Sequence, residues 1–219
     1  MAKHGDRARE ALLDAAEELF ATHGIDSVSN RRIAEHAGNA NHSAVGYHFG
    51  SRDGLLRAMV ARHTAGTRER RAERAALLPD EPTFADLLGT LILPGTETFA
   101  SLPVPSWRAR FLRQLRNTPS AEAILGSEAA DPLAEQLAGR IGTFTEHIPR
   151  NTLVGRGRLL GSMITDVCAE YEAGIAEGVF EPDWTAVGYF LTDAAAGMLS
   201  AAVTHPSDFH TVDSRAFIF

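Results

Sequence analysis

Residues 27–54 constrain the fold more than any other stretch: two short runs of helical spacing are separated by Gly38, and a third helix opens at Ser51. In the first run Ile33, Ala34 and Ala37 fall three and four apart. Ser29 precedes it as an N-cap whose hydroxyl accepts from the free N–H groups of the first turn, and Gly38 can take the positive φ needed just past the end. The spacing predicts a helix over 30–37. Asn39, Ala40, Asn41 and His42 then make a polar turn. Beyond it Ala44, Val45 and Phe49 supply an inward face, which leaves Ser43, Gly46, Tyr47 and His48 to point elsewhere. Ser51 reads as the next N-cap, with Asp53 in the first turn, where the helix dipole favours an acid. A helix, a tight turn and a second helix in this order can lay one helix across a DNA backbone and the other in the major groove. The residues expected to contact DNA are Ser29, Arg31, Arg32, Asn41, His42, Ser43, Gly46, Tyr47, His48 and Arg52.

Charge supports this when it is counted by segment. The chain carries a formal −7, yet residues 1–75 are net +2 and the remainder is net −9. Within 27–74 nine arginines face four acids. Opposite signs on the two parts of an acidic chain suit a nucleic-acid face attached to a unit with a different task. Arg31, Arg32 and Arg52 are the phosphate candidates because they sit at helix starts beside the reading helix. The run Arg68, Arg70, Arg71 and Arg74 also fits a solvated helix surface.

The same residues resemble the TetR family of bacterial transcriptional regulators. The family's first helix ends in a Leu-Phe-x-x-x-Gly run, here Leu19 to Gly24. An Arg-x-Ile-Ala-x-x-Ala-Gly stretch follows as Arg31 to Gly38, then Tyr47, His48 and Phe49 closing the reading helix, and Ser51, Arg52 and Leu55 opening the next. The resemblance covers residues 7 to 60. It departs in the turn after Gly38, which is a residue longer than in common members, and at Gly46, where members often carry a phosphate-contacting tyrosine. A glycine there lowers helix propensity by about 1 kcal/mol relative to alanine and opens the backbone to close approach. The resemblance implies a dimer, an operator and a small-molecule effector.

At 219 residues the chain exceeds one helix-turn-helix by enough for a second core-forming unit. No apolar run approaches the 18 or so residues of a membrane span, and the opening Met-Ala-Lys-His-Gly-Asp lacks a signal peptide's apolar core. Cys168 is the sole cysteine, so no internal disulfide forms and the cytoplasm is the expected setting. Leu12, Ala16, Leu19 and Phe20 predict a first helix. A long helix from 52 to about 76 is expected to leave the DNA-binding unit without a flexible linker. Prolines divide the rest into helices near 83–100, 106–117, 119–127, 131–147, 152–178 and 183–203. The expected fold is all-α: a helix-turn-helix domain over 1–51, a helical effector-binding and dimerisation domain over 52–203, and a tail over 204–219.

Two stripes mark the expected dimer interface. Trp184, Val187, Leu191, Ala194 and Met198 alternate three and four apart, and Leu160, Ile164 and Val167 form a second stripe on the preceding helix. Both patterns equally describe a helix pair buried within one subunit. The expected effector pocket is formed by Trp107, Arg110, Phe111, Met163 and Tyr171, where arginine beside aromatic walls suits an anionic, partly apolar ligand; the same residues also fit core and surface roles. Gly155, Gly157 and Gly161 lack phosphate-loop spacing, and His205, Asp208 and His210 make only a sparse metal-like cluster. No catalytic constellation, cofactor or metal site is expected.

The sequence therefore predicts a cytoplasmic, non-enzymatic, homodimeric regulator of double-stranded operator DNA, acting as a repressor released by a small molecule, with no membrane partner. The alternative is a ligand-binding helical protein whose DNA-binding head no longer reads sequence.

Overall fold

The computed structural model describes residues 2–205 and is helical throughout them, with no strand among the described residues. Ten helices follow in order: α1 (Ala2–His23), α2 (Asn30–His36), α3 (Ala44–Phe49), α4 (Arg52–Ala76), α5 (Phe84–Ala100), α6 (Arg108–Arg116), α7 (Ala121–Glu128), α8 (Pro132–Phe144), α9 (Arg150–Ala176) and α10 (Trp184–Ser200). The helices expected from apolar spacing and proline punctuation all form, with ends shifted by a few residues. None among the described residues is long and apolar enough to cross a membrane. Asp208, His210 and nearly all of the expected tail lie outside the described residues.

Compactness groups the chain into two units that alternate along the sequence. The first combines residues 1–64, 103–129 and 169–180; the second combines 65–102, 130–168 and 181–219. The expected bounds, 1–51, 52–203 and a tail over 204–219, follow one another along the sequence.

The first unit is built on α1. Leu12, Leu13, Ala16, Leu19 and Phe20 bury one side of that helix against Ile33, Val45, Leu55 and Met59, and Phe111, Leu115 and Ile124 of α6 and α7 complete the same core. Fully burying such aliphatic and aromatic side chains contributes roughly 1.5–3 kcal/mol each. Glu17, also on α1, is only 6% exposed. It accepts from Arg62 at 2.6 Å and from Arg108 Nε at 2.9 Å, which ties α1 to α4 and α6. His63 lies in the same region; burial first, and the charge of Arg108 second, push it down to about 3, so its ring is neutral near pH 7.

In the second unit α5 begins at a reciprocal cap between Thr83 and Asp86 and buries Leu87, Leu88, Leu91 and Ile92. α10 lies against it so closely that a Cβ on Gly188 would stand 2.5 Å from Thr96 Oγ1, and Trp184 meets Phe99 at 5.0 Å. Asp131 caps α8 and pairs with the buried Arg71, which also donates to the Leu91 carbonyl at 3.1 Å.

Candidate nucleic-acid interface

Local chemistry fixes the backbone of the helix-turn-helix. Ser29 is extended at φ −81° and its Oγ accepts from Arg32 N at 3.2 Å, as expected of an N-cap. Gly38 takes φ +67° and lets Asn39 N reach back to the Ala34 carbonyl at 2.9 Å, closing α2. Two asparagines then brace the turn in sequence: Asn41 N donates to Asn39 Oδ1 at 2.9 Å, and Ser43 N donates to Asn41 Oδ1 at 3.0 Å. At the far end, Ser51 Oγ accepts from Gly54 N at 2.9 Å. Gly54 is required there because a Cβ would lie 2.0 Å from the Phe49 carbonyl oxygen.

α3 consequently presents two distinct sides. Ala44 and Val45 are buried in the first unit's core, and Phe49 packs partly against it. Ser43, Gly46 and Tyr47 are exposed, Tyr47 to 81%, and the His48 ring meets Tyr47 edge-on at 5.0 Å. Tyr47 is thus a large, solvated ring that takes no part in the core. Asn41 and His42 are exposed in the turn that leads into this helix.

The charged groups around α3 are already paired with one another. Arg31 Nε donates to Glu35 at 2.8 Å, and His42 Nε2 lies 3.5 Å from the same carboxylate. Arg32 donates to His23 Nε2 at 2.8 Å, and His36 Nε2 stands 2.9 Å from Glu18. Such pairs contribute about 0–1 kcal/mol when exposed, so a polyanion can displace them. The Glu35 carboxyl is held below its ordinary value, chiefly by the hydrogen bond from Arg31; desolvation opposes this, and the charges of Arg31 and then His42 add to the lowering.

Arg52, expected on this face, turns inward. Its guanidinium lies 4.2 Å from the centroid of the Phe20 ring, donates to Asn30 Oδ1 at 3.1 Å and bonds the Ile25 carbonyl. Burial lowers its pKa from the ordinary arginine value, opposed by the charge of Asp26. Arg52 thus braces α4 against α1 and the start of α2. Replacing it with alanine is expected to cost about 1–3 kcal/mol of stability in urea denaturation. It should also leave the salt dependence of DNA binding unchanged; a slope shallower by one unit would return it to the phosphate contacts.

Residues 12–59 match the family model described as bacterial regulatory proteins, tetR family. These residues are similar to the amino-terminal head of the TetR family. The TetR-type match runs from within α1 to the first turns of α4, the stretch that forms and supports the helix-turn-helix. Among solved structures, AmtR of Mycobacterium smegmatis is similar at 22% identity over 89% of this chain and 87% of that one, with a TM-score of 0.48. A TetR-family transcriptional regulator described as putative, from Rhodococcus sp., shows 20% identity over 89% and 100%, with a TM-score of 0.43. AlkX from Dietzia sp. strain DQ12-45-1b, a TetR family repressor implicated in biodegradation of n-alkanes, shows 18% over 87% and 94%, with a TM-score of 0.40. A search of curated protein sequences finds no match.

Outside the TetR-type head, the residues expected at an effector pocket have several different roles. Phe111 is wholly buried in the first unit's core, 6.2 Å from Phe20. Arg110 stacks over Trp107 at 4.3 Å, but its charge is already met by Glu172 at 3.2 Å. Glu172, 1% exposed, also accepts from Ser106 and from the backbone N–H groups of Ala109 and Arg110. It therefore caps α6, whose own N-cap position, Trp107, supplies no side-chain hydrogen bond. Tyr171 stacks on Phe180 at 5.4 Å. Met163 belongs to the second unit, where it is partly buried.

The expected dimer residues divide in a similar way. Leu160, Trp184 and Leu191 are buried within the chain, whereas Ile164, Val167, Val187, Ala194 and Met198 keep part of their surface. The most exposed large apolar side chains on α9 and α10 are Leu159, Tyr189 and Phe190. Sequence reasoning missed Glu172, Glu35 and Asn30 as working residues. Of these only Glu35 leaves a local signal, its i,i+4 spacing from Arg31; the partners of the other two are distant in sequence.

Proposed function

We propose that this chain is a homodimeric repressor that binds a palindromic operator through α3 and is released by a small-molecule effector held by the helices beyond the head. The observation that carries the reading is the outward side of α3, with Tyr47 open to solvent on a helix whose other side is anchored in a core. Arg31 and Arg32 flank it for phosphate, while Asn41, His42 and Ser43 lead into it. Exposed Tyr189 and Phe190 on α10, with Leu159 on α9, supply apolar surface for a second copy. A twofold dimer turns two reading helices into two half-sites one helical turn or a multiple apart. An effector needs to favour one state of the dimer by only a few kcal/mol to shift its occupancy of DNA. Such a protein works in the cytoplasm, beside the DNA it reads.

Selection of bound duplexes from a random double-stranded library at moderate salt tests the reading. An enriched palindrome is the expected outcome, and bulk binding that fades with salt without any enriched sequence would overturn it. Once the site is known, Tyr47→Ala is expected to reduce preference for it by about 1–3 kcal/mol without changing the thermal midpoint, because the ring is not part of the core. Equal losses on selected and random duplex would remove Tyr47 from base reading.

A further inference from the structure

An acid stands in the middle of a face that otherwise suits a polyanion. Glu35, Arg31 and His42 are all about half exposed or more, yet the carboxylate holds the arginine at 2.8 Å and the imidazole at 3.5 Å. The pairing joins α2 to the turn that leads into α3. It adds little to stability, since exposed pairs contribute about 0–1 kcal/mol. Its consequence lies in what a duplex must do to engage the arginine. A duplex that meets Arg31 through its remaining N–H groups brings its phosphates beside the Glu35 carboxylate, and one that draws the guanidinium fully to itself has to break the Nε bond and leave that carboxylate unpaired.

We propose that Glu35 is a specificity-determining positioning residue of the DNA-reading face, one that holds Arg31 and His42 back from non-cognate duplex. The proposal rests on the DNA-reading function. Random DNA offers Arg31 only phosphate oxygens, which exchange one anion for another and gain little. A preferred site compensates by closing the remaining contacts of α3, so the cost of opening the pair falls most heavily on the wrong sequences, the logic by which an unfavourable element raises selectivity. Glu18 of α1 is paired with His36 at 2.9 Å rather than with Arg31.

The test compares Glu35→Gln with wild type on the selected duplex and on a random one across a salt series. The glutamine removes the charge while keeping the shape at an exposed position. Affinity for random duplex is expected to rise roughly three- to tenfold at low salt, with a salt slope steeper by about one unit as one more phosphate contact is made; the gain on the selected duplex should be smaller, so the specificity ratio falls. The same change in an Arg31→Ala background should have much less effect, a result that a merely structural role for Glu35 would not produce. An unchanged ratio, equal weakening of both duplexes, or a full effect without Arg31 would each overturn the role of Glu35. A wild type that fails to distinguish the two duplexes would overturn the DNA-reading function itself, and this shows before any variant is made.

Discussion

Glu17→Ala is expected to lower the stability of the first unit by about 3–5 kcal/mol, the usual cost of removing one partner from a buried ion pair. The magnitude follows from what is left behind. Arg108 is 7% exposed and directs its Nε at both oxygens of Glu17, while Arg62 donates to the same carboxylate. Arg62 keeps Asp14 at 2.6 Å as a second partner; among the described residues Arg108 pairs with no other carboxylate. The truncation therefore strands a guanidinium away from water beside His63, already held neutral by burial and by the charge of Arg108. Urea denaturation followed by helical circular dichroism measures the loss as a shift in midpoint at unchanged slope. A shift worth under 1 kcal/mol would mean that the arginines find water once the acid is gone. Glu17→Gln, which keeps the acceptor and loses the charge, should fall between the two.

Phe111→Ala is the second large effect, at about 3–5 kcal/mol, the range for emptying the space of a buried aromatic ring. Phe111 has no exposed surface and sits among Leu12, Leu13, Phe20 and Leu115 of one core. DNA binding should be lost on warming well before wild type loses it, because the residues that support α3 share that core. The same experiment separates two roles for the residue. A pocket wall tolerates truncation with a loss of about 1 kcal/mol or less and changes effector affinity; a core residue shows the reverse pattern.

The contrast between Tyr47 and Arg52 shows how much of the interface could be read from sequence. Ser29, Gly38 and Ser51 act through backbone groups within a few residues of themselves, and the residues between them follow a helical period, so α2, α3 and the exposure of Tyr47 were legible. Arg52 sits at a helix start like Arg31, but its partners, Phe20, Ile25 and Asn30, lie on elements whose approach no local pattern encodes. Distance along the chain also hid Glu172. As one glutamate within a long helix it carries no mark of the helix it caps. On α10 the period identified Trp184 and Leu191 as a stripe, but periodicity cannot say whether a stripe meets the chain's own α5 or a second copy. Only packing shows that Trp184 meets Phe99 and that Gly188 lies against Thr96.

The three separate stretches of chain in the first unit bear on how this protein is made. A chain leaving the ribosome delivers α1 to α3 first, but Phe111 and Leu115, which complete their core, arrive only with α6. The acid that caps α6 comes later still, 63 residues beyond the Ala109 N–H it receives. The reading head is thus encoded first and completed late, so the nascent segment ending at Thr64 holds the recognition helix without its finished support. The shortest amino-terminal fragment that contains every part of that unit runs to Phe180.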